Sequence, residues 1–371
     1  MSAALLAATA ACSAGESVAS EPDTESKASA EFTARAADAV AELKAEQSAT
    51  PPTEGPAAVP GQRVAFITIT EAESASVALL NGLQSAATAL GWEHKTYNAN
   101  GNQSDANRFL QQAVTTKPDA IVVLGLNDTQ TGSGLAAAQA AGIPVGCLSC
   151  WAEGQPDSRG PYAAISPSPS AFEQMGYVNA AYAYDKTGGS PKFLTFNDTS
   201  LSNLNARQAG FDRFINECTD AGGSCEVVAN QEFQAANLTT TLAGQAAAAA
   251  QANREFNAVW ASFDGAAQYV TIGLRQAGLA NDSTFLVSAN GDPTSVQTIK
   301  EDGYQRITVS LGMQWTSWAL MDDLNRALAN QPPVEQNVPI RLFDSTNIDS
   351  AEGWEGDVDF KSYYTRVWAG A

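Results

Sequence analysis

Histidine occurs once in the 371 residues, at His94. That scarcity nearly excludes catalytic triads, histidine-ligated metals and imidazole acid–base chemistry. Basic residues are also few: 20 Lys plus Arg stand against 40 Asp plus Glu, a formal charge of −20. Such a balance argues against nucleic acid or an anionic membrane surface as partner. After residue 13 no apolar run is long enough to span a bilayer. No pair of titrating groups stands out, so neither an enzyme, a cofactor nor a metal site is expected. What the chain does have is length and 44% hydrophobic residues, enough for two cores.

The cysteines divide into one early residue and two close pairs. Cys12 follows the apolar, small-residue run Leu5–Ala11. This looks like the end of a bacterial lipoprotein signal, whose cysteine is acylated and becomes the mature N-terminus. The alternative is an Ala-rich leader, since the first basic residue, Lys27, comes only after the cysteine. Four thiols remain, a number that suits two disulfides in an exported protein. Cys218 and Cys225 flank a Gly-Gly turn. Closing so short a loop is worth roughly 2.5 kcal/mol on the chain-entropy model. Cys147 and Cys150 form a C-x-x-C. That spacing also occurs in redox enzymes, but it follows a strand here without the helix start that lowers a thiol pKa. A structural bridge is the preferred reading.

From Ser13 to about Pro60 the composition, rich in Ser, Glu, Ala, Thr and Pro, reads as a solvated tether. Within it Phe32, Ala36, Val40 and Leu43 share one helical stripe over Ala28–Gln47, so a short helix is possible there. At Arg63 the pattern changes. Val64–Ile69 is a β-branched apolar run of the kind expected for a buried parallel strand. A helical segment over Ser74–Leu90 follows, closed by Gly91. The alternation repeats with strands at Trp92–Tyr97, Ala120–Leu124 and Pro144–Leu148, and helices at Asp105–Thr116 and Gly132–Ala141. A second series follows, with strands at Lys192–Phe196, Cys225–Ala229, Ala258–Ala261, Thr284–Ser288 and Arg306–Leu311. Its helices fall between these strands, and Trp315–Leu328 forms a last one. Repeated βα units mean parallel sheets covered on both faces, and two series mean two doubly wound α/β lobes.

Several segments in order carry a resemblance. They include Lys117-Pro118-Asp119-Ala120-Ile121-Val122, Ala140-Ala141-Gly142-Ile143-Pro144-Val145, Ala206-Arg207-Gln208-Ala209-Gly210-Phe211, Phe263-Asp264-Gly265 and Asp322-Asp323-Leu324-Asn325-Arg326. Over Arg63–Asn347 the chain resembles periplasmic sugar-binding proteins of the ribose-binding type, closest in character to actinobacterial sugar- and polyol-binding importer components. The resemblance implies a type I periplasmic binding protein with residues 1–12 as signal remnant and 13–60 as tether. The N-terminal lobe would be 61–165 plus 312–338, and the C-terminal lobe and tail 166–311 plus 339–371. Three crossings would form the hinge. It further implies a lipid-anchored monomer outside the cell membrane, partnered by an ABC permease, with ligand held in the interlobe cleft.

Open α/β sheets bind ligands beyond the carboxyl ends of their strands, so candidate residues are sought in those loops. The first strand leads to Glu71 and Glu73, whose carboxylates can each accept two hydroxyl hydrogen bonds. Trp151 follows the fourth strand and offers a flat face to C–H groups. Relatives often carry Asp-Arg near that point, and an arginine where Asn205 stands. In the second series Asn197, Asp198, Asn205 and Arg207 surround a helix start. Phe263, Asp264, Asn290 and Asp292 end two further strands, and Asp264 and Asn290 match positions that bind ligand in relatives. Asp and Asn are also good helix N-caps. Gln314 and Trp315 follow the strand that crosses the hinge. Acids, amides and aromatics with few cations suit a neutral or weakly cationic, hydroxyl-rich solute such as a sugar, tetritol or pentitol. Gly132-Ser133-Gly134-Leu135-Ala136-Ala137 formally matches a dinucleotide fingerprint, but Leu126–Thr131 separates it from its strand. A repressor of related fold would need a basic helix-turn-helix where this chain is acidic and Pro-rich. A receptor that presents ligand to a sensor, or a binder of amino acids or nucleosides, is the alternative.

Overall fold

The computed structural model describes residues 28–152, 154 and 159–370; the acylation expected at Cys12 lies outside them. After α1 (Ala30–Lys44), the first lobe alternates β1 (Arg63–Thr68), α2 (Ser74–Leu90), β2 (Glu93–Asn98), α3 (Gln103–Thr115), β3 (Ala120–Leu124), α4 (Asp128–Ala140), β4 (Val145–Leu148) and β5 (Ala164–Ser166). Its five strands lie in the order β2-β1-β3-β4-β5 and all run parallel. The second lobe follows with α5 (Pro169–Lys186), β6 (Lys192–Asn197), α6 (Ser202–Asp220), β7 (Glu226–Glu232), α7 (Leu238–Ala252), β8 (Ala258–Ala261), α8 (Asp264–Gln276), β9 (Phe285–Asn290), α9 (Pro293–Lys300) and β10 (Gln305–Leu311). The chain then runs through α10 (Met313–Leu328), β11 (Ile340–Asp344) and α11 (Phe360–Trp368). The second sheet has the order β11-β10-β9-β8-β6-β7, with only the β10–β11 pair antiparallel. The expected architecture of two doubly wound lobes is therefore present.

Central strands such as β3 and β8 are buried along their whole length, because helices cover both faces. On the first sheet α2 and α10 share one face, and α3 and α4 pair with each other. Gly134 allows that second pairing, since a Cβ there would press into Leu110. The residue expected as part of a possible phosphate turn thus serves helix packing. In addition α4 begins earlier than expected, with a capping box between Asn127 and Gln130. On the second sheet α5 and α6 touch backbone to backbone. A Cβ on Gly176 would collide with the Arg207 carbonyl, and one on Gly210 with the Glu173 carbonyl. The close approach matters because it sets Arg207 against Phe172.

The three expected crossings link β5 to α5, β10 to α10, and α10 to β11. Both ends of the chain add another. Phe32, Ala36 and Leu43 of α1 are buried on the second lobe, with Phe32 edge-on to Tyr184 at 5.4 Å. Lys44 then pairs with Asp344 at 2.8 Å. The following segment, read from composition as part of a solvated tether, is tied down across the hinge. Gln47 N donates to Asp357, Arg326 to the Glu54 carbonyl, Trp92 to the Val59 carbonyl, and Val59 N to Asn325. Polar composition misled here because the segment satisfies its backbone with distant side chains, Asn325 and Arg326 of α10 together with Trp92 and Asp357. The tail also departs from expectation. Trp368 stacks on Trp318 at 5.1 Å and Phe360 on Trp315 at 5.4 Å, which returns α11 to the first lobe. Cys147–Cys150 and Cys218–Cys225 are both disulfide-bonded, as the spacing suggested.

Candidate functional site

Strand alternation in the second lobe places Phe193 and Asn197 of β6 on the sheet face that carries α5 and α6, where Phe193 meets Phe211. On β8 the same face holds Trp260, stacked on Phe211 at 5.5 Å, with Ser262 just past the strand end. Arg207 reaches this end of the sheet from α6. One guanidinium nitrogen donates to the Ser262 carbonyl at 2.8 Å and another to Asn290 Oδ1 at 2.7 Å. The guanidinium lies over the Phe172 ring at 5.2 Å. Burial lowers its pKa to about 10, against the opposing pull of Asp264 and Asp292, so it stays a cation at neutral pH. Arg207 Nε, Asn197 Oδ1 and the Ser262 hydroxyl are buried without hydrogen-bond partners among the described residues. Leaving such groups unpaired costs on the order of 1–3 kcal/mol each, and a polar atom placed beside them would relieve that cost.

Asp264 is not among these unpartnered groups. It is fully buried, and its oxygens accept from Gly291 N, Asp292 N, Thr308 Oγ1 and Gln305 Nε2, all at 2.8–2.9 Å. Its place is to brace the β9–α9 loop. Burial raises its pKa while these donors pull it back. That loop presents Asp292 toward the first lobe. Burial and then Asp264 raise Asp292 to about 7, and Glu73 of the first lobe adds to the rise. Ser74, also of the first lobe, favours the ionised Asp292.

Contacts between the lobes converge here. Gln130, at the start of α4, donates to the Ser200 carbonyl of the β6–α6 loop at 3.4 Å. That loop is shaped by Asp198, which accepts from Ser200 N, Ser200 Oγ and Ala235 N. Burial, and next the Asp198 charge across the gap, raise the pKa of Glu73. Trp151, leaving β4, packs its ring 5.8 Å from Phe172 of the second lobe. It is 5% exposed, so its contact is with the opposite lobe and not with solvent.

Other expected residues lie apart from this gathering. Trp315 is fully buried beneath Phe360, which corrects its expected role: no face remains for a solute. Gln314 is occupied by Lys361, and its backbone by Glu355. Phe263 is 5% exposed and packs on Phe233 at 6.0 Å inside its own lobe. Asn205 ties the Thr199 carbonyl from an exposed position. Glu71 is exposed. Sequence reading missed Phe172, Ser262, Ser74 and Gln130. Ser262 carries a signal in retrospect, since it precedes Phe263-Asp264 at a strand end. Phe172 carries none, because it looks like any core residue on a helix. A cavity of about 850 Å3 lies beside the hinge, lined by Tyr162, Ser166, Asp323 and Gln336 among others, and none of the expected ligand residues borders it.

Comparison with known proteins adds the kinship. Solved structures share the fold at low identity. One is a solute-binding protein of an ABC transporter from Agrobacterium vitis, bound to allitol. It has a TM-score of 0.68 and 18% identity, covering 79% of this chain and 98% of that one. Another, from Mycobacterium smegmatis with bound glycerol, gives 0.66 and 18%, covering 78% and 96%. A third, from Actinobacillus succinogenes with bound D-allose, gives 0.66 and 17%, covering 79% and 100%. No curated protein matches the sequence. Among the described residues no helix is long and apolar enough to cross a membrane. Residues 64–332 match the periplasmic binding protein domain, and the chain therefore belongs to that family of extracytoplasmic, non-enzymatic solute-binding proteins.

Proposed function

We propose that the protein is the solute-binding component of an ABC importer, anchored through Cys12, and that it takes a small sugar or short-chain polyol into the cleft between its lobes. The observation that supports this most is the buried, unpartnered set of Asn197 Oδ1, Arg207 Nε and Ser262 Oγ beside two aromatic rings. Hydroxyls both donate and accept, and C–H faces stack on aromatics, so a polyhydroxylated solute fits such a wall. The allitol, D-allose and glycerol held by the structural relatives point the same way. Second-lobe groups would bind first, and Glu73, Ser74 and Gln130 would close over the solute. A ligand that moves the equilibrium from mostly open to mostly closed must favour the closed state by roughly 5 kcal/mol, which contacts from both lobes can provide.

The test is a thermal-shift screen of the protein from Ala28 onward, so that the docked α1 is kept. Sugars, tetritols and pentitols are run beside amino acids and nucleosides. A ligand at a hundredfold excess over its dissociation constant stabilises by about 2.7 kcal/mol. A shift with a sugar or polyol series, lost in Arg207→Met, is expected. Shifts confined to amino acids or nucleosides would overturn the solute class.

A further inference from the structure

The motif Asp322-Asp323-Leu324-Asn325-Arg326 on α10 supplies none of the cleft residues, yet it carries buried charge. The Asp322 carboxylate is fully buried and accepts from Arg326 at 2.7 Å, from Trp368 of α11 at 2.8 Å and from Gln336 at 3.0 Å. Gln336 lies on the stretch that links α10 to β11. Arg326, 4% exposed, spends another donor on the Glu54 carbonyl at 2.6 Å. A buried ion pair is often no more stabilising than an apolar pair of the same volume. What this one adds is direction, because its hydrogen bonds fasten three passing segments of chain to one turn of α10.

One of the three is the segment after α1, and its far end is held on the second lobe. Lys44 pairs with Asp344 of β11 at 2.8 Å, and Arg341 of β11 donates to the Lys44 carbonyl at 3.3 Å. Arg341 also holds Asp357 at 2.8 Å, and Asp357 accepts from Gln47 N at 2.7 Å. The near end is held on the first lobe, where α10 packs on α2, β4 and β5. Beyond the Arg326 bond, Asn325 accepts from Val59 N at 2.9 Å and donates to the Ala57 carbonyl at 3.2 Å. Between the ends, Asn337 donates to the Thr50 carbonyl at 2.9 Å.

From Gln47 to Glu54 the chain reaches at most roughly 25 Å when fully extended. Pro51 and Pro52 lie within that stretch. They fix their own φ and keep the residue before each extended, so the stretch is a strut and not a loose thread. Gly55 lets it lie flat on α10, since a Cβ there would stand 2.6 Å from the Arg326 guanidinium and 2.9 Å from Val367. All these bonds are made in the arrangement in which the lobes touch through Gln130 and Ser200 and through Trp151 and Phe172. Swinging the lobes apart moves the two fastened ends relative to each other.

We propose that Ala45–Val59 is a hinge strap, clasped on the Asp322–Arg326 pair, that limits how far the two lobes separate. The strap acts on the hinge whatever solute the cleft takes.

Double electron–electron resonance on the full chain in a Cys12→Ser background tests this, with spin labels on Gln112→Cys of α3 and Gln251→Cys of α7, both exposed positions. A Gly/Ser insert of about twelve residues after Thr53, with a mean reach of roughly 20 Å, gives the strap slack while keeping every fastening. The same insert after Asp282, in an exposed loop within the second lobe, is the control. The ligand-free distance between the labels is expected to lengthen by about 5 Å or more with the strap insert and to keep the parent value with the control. Gly55→Val, which crowds the clasp without adding length, is expected to move it less and in the same direction. A strap insert with parent-like circular dichroism and the parent's distances would overturn the strap, as would an equal shift from the control insert. Should the strap insert fail to fold, unchanged distances in Gly55→Val would overturn it equally.

Discussion

The two lobes contribute to the cleft in different ways. The second lobe arrives with its candidate site assembled: Arg207 is held by Ser262 and Asn290, and Asp264 accepts two hydrogen bonds from the β9–α9 loop and two from β10, which ties the loop to the sheet. The first lobe offers side chains on loops and helix starts, where Glu73 precedes α2 without a capping bond and Gln130 reaches over at 3.4 Å. On the proposed function, a pre-organised wall facing an adaptable one would give binding an order, with capture on the rigid side and closure by the loose one. It also separates the consequences of mutation. Substitutions in the second-lobe site touch fold and binding together, whereas those in the first lobe touch binding alone.

The largest expected effect is that of Asp264→Ala, which strands two backbone N–H groups, Thr308 and Gln305 in a buried place. About 3 kcal/mol of stability should be lost in denaturant melts, and an unchanged midpoint would erase the distinction between the lobes. Next comes Phe32→Ala on α1, which removes a buried ring wedged against Tyr184 and Phe214 of the second lobe. A loss of roughly 3 kcal/mol is expected there too, and a neutral outcome would mean that α1 adds nothing to its lobe.

A smaller effect concerns pH. Asp292 in the second lobe, Asp323 on α10 and Glu355 in the tail are all raised by burial to about 7. Between pH 4 and 7 the folded chain therefore holds more protons than the unfolded chain at these sites, and stability must fall as pH rises through that window. The ligand-free melting temperature should be a few degrees lower at pH 8 than at pH 5, and Asp292→Asn should flatten the slope. A melting temperature that climbs toward pH 8 would contradict the sign. The smallest effect belongs to Glu73→Ala, expected to stay within about 0.5 kcal/mol of the parent without ligand. A larger loss would show that the first-lobe wall is as built-in as the second.

Much of the scaffold was legible in the residues. A run such as Val64–Thr68 has no polar face to show water, so it announces a strand buried on both sides. Strand-end loops then named residues such as Glu73, Arg207 and Asp292, which the fold does bring to the boundary between the lobes. The particular side chains were harder to assign. Asp264 and Asn290 look alike in sequence, as polar residues at strand ends, yet one braces a loop and the other receives Arg207 from 83 positions away. Trp315 stands just after a crossing strand, but α11 comes back from beyond it and covers the ring. The tether was misread because composition records how polar a segment is and not which distant side chains await its backbone. Contacts of that kind are set by topology, and no local pattern contains them.

The docking of α1 also has a mechanical meaning. A pull on the chain upstream of Ala28 is delivered through Phe32 and Leu43 into the second lobe before it reaches the hinge. With the anchor proposed at Cys12, that docking would make the second lobe the stationary jaw and the first lobe the one that swings. The surface shown to the surroundings would then change on one side only, with the moving first lobe reporting whether the cleft is full.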